Sequence, residues 1–205
     1  MYNAFCYLAI LYNNKNVMSR TCPIIRHERP NLFGNLGLYS HTKDNRYRFY
    51  LGESGEKTLL AVGVNPSTAS LGQSDHTIRK LKRFAALNDY QGWAIINLYS
   101  QRATNPNHLH QRRQTRFTQA NLAEIQHLQS LLSAYDFLLC WGNLIEKRRF
   151  LQECLREIEP MIRGRNIYIL GEPTLKGHPP HPLMLSYETP FRSFSLEQYM
   201  TQIKG

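Results

Sequence analysis

Thr58-Leu-Leu-Ala-Val-Gly-Val64 runs directly into Asn65-Pro66-Ser67-Thr68, and the reading of the fold turns on this junction. The apolar run predicts a strand buried on both faces, and the Gly, Asn and Pro after it predict a stiff turn where the strand ends. Asp75 is then placed to cap a helix whose apolar positions Ile78, Leu81, Phe84, Ala85 and Leu87 return at intervals of three and four. Further along come a strand Gly92-Trp-Ala-Ile-Ile-Asn-Leu98, a helix over 118–134 and a strand Phe137-Leu-Leu-Cys-Trp141. A helix opened by Asn143 and running through Glu159, and a strand Asn166-Ile-Tyr-Ile-Leu170, complete the alternation. Arg46 to Leu51 reads as a strand ahead of this series, and Leu196 to Ile203 as a final helix after Ser195. Doubly buried strands alternating with helices call for a parallel sheet covered on both faces. The expected fold is therefore a three-layer α/β/α sandwich around a central, mostly parallel four-stranded sheet. Residues 1–45 have no sustained period and are read as an N-terminal appendage, with Met18 an alternative start; residues 46–205 are read as the α/β domain.

The 205 residues include 25 Lys+Arg against 15 Asp+Glu, a formal net charge of +10. That excess favours a polyanionic partner, nucleic acid before an anionic membrane surface. With 42% hydrophobic residues the chain can bury a sizeable core, which sets aside a disordered or collagen-like protein. There is no run of 18 apolar residues, and no basic segment precedes the stretch from Ala4 to Tyr12. Neither a transmembrane helix nor a secretory signal is expected, and the cytoplasm is the expected compartment. Cys6, Cys22, Cys140 and Cys154 form no C-x-x-C pair, so they read as core cysteines rather than a disulfide framework or a cluster site. The histidine pairs 178/181 and 108/110 lack an obvious third ligand, and no metal or other cofactor is expected.

In α/β sheets, ligands collect beyond the carboxyl ends of the strands. Polar residues concentrate there: Asn65 to Thr68, Asn97 with Tyr99 to Thr104, Gly142-Asn143, and Lys176-Gly-His-Pro-Pro-His-Pro-Leu183. Between Asp89 and Glu124 there is no acidic residue, while Arg102, Arg112, Arg113 and Arg116 stand in that stretch with His108 and His110. A solvated basic loop and a phosphate-contacting loop are both consistent with this pattern.

Taken in order, these elements resemble the uracil-DNA glycosylase superfamily over most of residues 58–190. Gly63 to Thr68 are similar to the motif after that superfamily's first strand, and Ile95-Ile-Asn97 to its strand ending in a base-reading Asn. Leu138-Leu-Cys-Trp-Gly142 is similar to its L-L-W-G strand, and His181-Pro-Leu-Met-Leu-Ser186 to its closing H-P-S-P-L-S. The chain also resembles an uncharacterised bacterial family with N-P-S-T-A, D-x-T-I-R, N-L-x-x-x-R-A-T and H-P-L, found here at Asn65–Ala69, Asp75–Arg79, Asn97–Thr104 and His181–Leu183.

The resemblance implies a monofunctional DNA glycosylase, expected as a monomer, that flips a damaged or modified pyrimidine out of DNA and leaves an abasic site. It implies catalytic roles for Asn65, which would orient water or stabilise the sugar cation, and for His181, which would polarise the base carbonyl. Asp75 has two readings, an activator of water and a helix cap, with the cap favoured. Base-binding positions would be Gly63, Val64, Pro66, Ser67 and Asn97. DNA contacts would come from Arg79, Arg102, Arg112, Arg113, Arg116, Lys176 and His178, with Leu183 and Met184 as apolar wedges. The superfamily's efficient uracil enzymes carry a carboxylate where Asn65 stands and a Tyr where Ser67 stands. A small Ser67 leaves room beside C5 of a pyrimidine, which points to a 5-substituted substrate such as the hydroxymethylated or glucosylated cytosine of phage DNA, and so to phage defence, while a mismatched thymine or plain uracil fits the same opening. Two alternatives stay open: a DNA-binding module without chemistry, and a nucleoside or nucleotide hydrolase using the same crevice.

Overall fold

The computed structural model describes residues 22–31, 34–70 and 72–203. Four strands are continuous with the apolar runs of the sequence: β4 (Lys57–Gly63), β5 (Gly92–Asn97), β6 (Ala134–Leu139) and β7 (Ile167–Leu170). They pair in parallel, β5 beside β4, β4 beside β6 and β6 beside β7. Leu59, Leu60, Ala61 and Val62 are wholly buried because both faces of β4 are covered. Burying each of these leucines contributes about 1.5–3 kcal/mol.

The sheet does not stop there. Strands β1 (Ile24–Pro30), β2 (Leu36–Thr42) and β3 (Arg48–Glu53) form an antiparallel meander whose last member docks antiparallel against β5, and β8 (Phe191–Ser193) pairs antiparallel with β7. The expected four-stranded, mostly parallel sheet is thus corrected to an eight-stranded mixed sheet in the order β1-β2-β3-β5-β4-β6-β7-β8, with four of its seven pairings antiparallel. The reason lies in composition. Ile-Ile-Arg-His-Glu-Arg-Pro in β1 is an edge strand rich in charge, and Pro30 at its end lacks the N–H a central strand needs. Such a segment carries no apolar run to announce it, and residues 24–42 consequently read as irregular chain in the sequence. Met18 and Cys6 lie outside the described residues.

Helix α1 (His76–Leu87) packs on one face of the sheet through Ile78, Leu81, Phe84 and Ala85. Helices α2 (Thr115–Leu131), α3 (Arg149–Ile162) and α4 (Leu196–Gln202) pack on the other through residues including Phe117, Ile125, Leu151, Ile158 and Tyr199. A 3-10 segment, Gly142–Lys147, precedes α3 where the sequence suggested one continuous helix. Asp75 caps α1, accepting the Ile78 amide at 2.9 Å, and Ser195 caps α4. Cys22, Cys140 and Cys154 are buried as free thiols, and Trp141 is fully buried. No helix among the described residues is long and apolar enough to cross a membrane.

Candidate active site

The carboxyl ends of β4 and β5 are stitched together by backbone hydrogen bonds: Leu98 N–H to Gly63 O at 2.9 Å, Tyr99 N–H to Val64 O at 2.9 Å, and Ala103 N–H to Pro66 O at 2.9 Å. Into this frame Asn65 donates its Nδ2 to Ala103 O at 2.8 Å and Pro66 O at 3.0 Å. Two carbonyls on one side set the amide orientation, so Oδ1 is turned the other way and accepts no bond among the described residues. Val64 itself points into the core.

Asn97 closes β5 opposite Gly63 and is 1% exposed. A Cβ at Gly63 would sit 3.0 Å from Asn97 Oδ1, so glycine at that position is what admits the Asn97 side chain. Asn97 Nδ2 is buried and has no hydrogen-bond partner among the described residues. Leaving such a donor unmatched costs about 1–3 kcal/mol. The other buried side-chain atoms in this condition among the described residues are Ser100 Oγ, Arg102 Nε, Arg48 Nε and Asn121 Oδ1; Asn97 ends β5, and Ser100 and Arg102 lie in the segment just after it. The backbone O of Asn97 is held by Asn121 Nδ2 at 2.8 Å.

Asp75 has both oxygens engaged, Oδ1 by the Ile78 amide and Oδ2 by the Ser67 hydroxyl. Its helix-cap reading is therefore the one the structure bears out. His181 lies within electrostatic reach of Asp75 and packs over Gly142, where a Cβ would meet His181 Cβ at 3.3 Å. Gly142 also has φ 59, a conformation that favours glycine. Burial pushes the His181 imidazole below its ordinary pKa, and Asp75 opposes this only in part. Nδ1 accepts the Leu183 amide at 3.3 Å, so the neutral ring carries its proton on Nε2 as a donor.

The expected DNA contacts divide into side chains held within the fold and side chains at the exposed surface. Arg102 donates to Ser67 O at 2.8 Å, Ala69 O at 3.1 Å and Tyr39 Oη at 2.8 Å, which makes it a clamp on the loop that carries Ser67. Arg113 is held by Glu157 at 2.5 Å and Glu153 at 3.8 Å. Lys176 pairs with Glu146. His178 is 3% exposed: Trp141 donates to Tyr199 Oη, which is hydrogen-bonded with His178 Nδ1 at 2.8 Å, and His178 Nε2 reaches Glu146 at 3.1 Å. Arg79, Arg112 and Arg116 are exposed, Arg79 bonding only locally to Ser74 O at 3.3 Å and Arg116 lying over the Phe117 ring. Leu183 and Met184 project beside His181, 41% and 89% exposed.

Arg48 was not anticipated. It is 2% exposed, donates to Ala69 O at 2.9 Å, and forms no ion pair among the described residues. Burial, with the neighbouring Arg102 charge as a smaller cause, lowers its guanidinium to about 10. It remains a cation at neutral pH beneath the Ser67–Ala69 loop. Nothing in Arg46-Tyr-Arg-Phe-Tyr distinguishes a buried arginine from a surface one, since both sit at alternate strand positions.

A family model described as a protein of unknown function, DUF1643, matches residues 46–183. No curated protein and no solved structure matches the chain.

Proposed function

The chain belongs to the DUF1643 family, and from the chemistry of its strand-end crevice we propose that it is a DNA glycosylase that excises a flipped pyrimidine base. The observation that carries this reading is the buried, unmatched Nδ2 of Asn97. A buried donor without a protein partner can be met by an acceptor on a water or a ligand, and a pyrimidine edge offers carbonyl oxygens or a ring nitrogen. The segments after the neighbouring strands supply groups suited to a dissociative reaction. As the C1′–N bond breaks, the base leaves with the electron pair, and the Nε2–H of His181 stabilises the charge developing on a base carbonyl. Asn65 Oδ1 accepts from a water and orients it toward the cationic sugar; the water adds to C1′ and its proton passes to the departing base. The Asp75 carboxylate contributes its field rather than proton transfer, since both oxygens are engaged. The small side chain of Ser67, tied to Asp75, leaves room for a 5-substituted pyrimidine such as a modified cytosine.

A second reading, a nucleic-acid-binding module without chemistry, is favoured by the same engagement of Asp75, which leaves no carboxylate to act as a base. One assay separates the two. Mass spectrometry of free bases released from DNA carrying uracil, mismatched thymine, methylated, hydroxymethylated or glucosylated cytosine is expected to show release of one pyrimidine. Asn97→Ala and His181→Gln are each expected to slow that release about 100-fold or more. Tight DNA binding with no base released from any substrate favours the binding module, and release unaffected by both substitutions removes this crevice as the active site.

A further inference from the structure

His27 in β1 and His41 in β2 stand 14 residues apart in the chain, and the hairpin register brings them onto one face of the sheet. His27 lies opposite Tyr39 and Ile25 opposite His41, so the two histidines are diagonal neighbours beside the Tyr39 ring. Their rings are inclined by only 6°, with centroids 5.6 Å apart and Nε2 atoms 3.5 Å apart, so the two nitrogens are the facing edges. Tyr39 packs against both, its ring centroid 5.8 Å from that of His27 and 4.6 Å from that of His41. Both imidazoles are half-buried: water reaches them, while the strands fix their places. His41 Nδ1 lies 2.8 Å from Thr42 O, and a carbonyl oxygen can only accept, so Nδ1 carries a proton and the neutral ring offers a lone pair at Nε2. Apart from each other, the two Nε2 atoms have no hydrogen-bond partner among the described residues.

A separation of 3.5 Å is at the outer limit for an N–H···N hydrogen bond. Two imidazole nitrogens on one tetrahedral ion, each about 2.0–2.1 Å from it, stand about 3.3–3.4 Å apart. The Thr42 carbonyl behind His41 also supplies the outer contact that orients a metal-binding imidazole. No third His, Cys, Asp or Glu joins the pair among the described residues, and Tyr39 Oη is engaged by Arg102 at 2.8 Å and Asn45 at 3.4 Å. We propose that His27 and His41 form a two-histidine site for a late first-row divalent metal ion such as zinc, with water in its remaining positions. Nitrogen donors without a carboxylate do not suit magnesium or calcium, which take oxygen ligands. Arg102, within electrostatic reach of His41, opposes the ion's charge and keeps its affinity moderate. A bound ion cross-links β1, the edge strand, to β2, in the part of the sheet that polar contacts rather than apolar ones hold in place. None of the crevice chemistry is needed for it.

Zn²⁺ titrated calorimetrically into the untagged full chain at neutral pH is expected to bind, one ion per chain. In NMR spectra of the same titration the imidazole nitrogen resonances of His27 and His41 are expected to shift together. His27→Gln and His41→Gln are each expected to weaken zinc binding about tenfold or more, at least as much as losing an outer contact does. His108→Gln is expected to leave it unchanged. Saturating zinc is expected to raise the urea midpoint of the parent and to leave that of His27→Gln/His41→Gln where it was, since only a folded chain holds the two imidazoles together. Mg²⁺ is expected to shift neither resonance. The resonances are read in the parent, which keeps the test decisive should a variant fold poorly. Zinc binding that survives both substitutions, or that moves neither imidazole, overturns the site, and an equal response to Mg²⁺ overturns its ligation by nitrogen. A parent that binds no zinc at millimolar concentration also overturns it and leaves the pair as a packing contact between strands.

Discussion

In β4 the sheet buries Leu59, Leu60, Ala61 and Val62 in succession, whereas the strands β1–β3 bury Ser40, Thr42 and Arg48 alongside Leu38 and Phe49. The two regions share one sheet but are held differently. The parallel strands are fixed by apolar contact on both faces, which is non-directional and tolerant of small shifts. The antiparallel strands are tied to α2 by directed polar bonds, Arg26 to Glu124 at 2.5 Å, the Ser40 hydroxyl to the same carboxylate at 2.7 Å and Glu28 to His127, and Glu28 also accepts the Tyr50 hydroxyl of β3. Directed bonds specify one docking geometry, and each costs free energy if a partner is lost. The apolar half positions the strand ends that carry Asn65 and Asn97, and the polar half holds the Ser67–Ala69 loop through Arg48.

This contrast can be broken at its strongest point first. Leu138→Ala, wholly buried in β6, is expected to cost about 2–5 kcal/mol in equilibrium urea unfolding. A cost under 1 kcal/mol would mean that the parallel half is not the main source of stability. Next comes the seam. Gly52 in β3 faces Ala94 in β5 so closely that a Cβ would fall 2.3 Å from Trp93 O, a backbone atom that has little freedom to yield. Gly52→Ala is expected to cost about 1–3 kcal/mol. A single calorimetric transition in that variant shows the two regions unfolding as one unit; two transitions show that the polar extension detaches by itself.

Smaller effects sharpen the comparison at the crevice. Asn97→Ala removes an unmatched donor, so its stability is expected to stay within about 1 kcal/mol of the parent even though the position is buried. A loss of several kcal/mol would identify Asn97 as structural. The smallest effect is in pH. His181 has a folded pKa below its unfolded value, so the unfolded chain takes up the proton first and stability falls as pH drops below about 6.5. Its contribution is fully present above that range. Melting curves from pH 7 to pH 5 are expected to show a shallower decline for His181→Gln than for the parent, and base release by the parent is expected to hold steady through pH 6.5.

Periodicity made the helix over Ile78, Leu81, Phe84 and Ala85 legible, and an Asp followed by an amphipathic run made its cap legible. Apolar runs located β4 to β7 to within a few residues, because a strand covered on both faces tolerates almost no polar side chain. Strands β1 and β2 escaped the same logic, since charged and small residues at an edge resemble loop composition. The site followed the same division. Asn65, Asn97 and His181 are candidates by their places at or after strand ends, while Arg102, Arg113, Lys176 and His178 looked equally available and proved to be engaged. A positive charge in a sequence gives no sign of whether a carboxylate waits for it across the fold.

The sequence by itself determined which segments are apolar enough to be covered, where helices start, and that polar residues gather where strands end. These are local properties, readable from neighbours in the chain. It took the tertiary structure to show that residues 24–53 complete the sheet, that Arg48 lies buried with no acidic ion-pair partner among the described residues, and that Asn97 Nδ2 has no partner among them. Each of those depends on groups brought together from distant parts of the chain, and pairing of that kind leaves no periodic trace in the sequence.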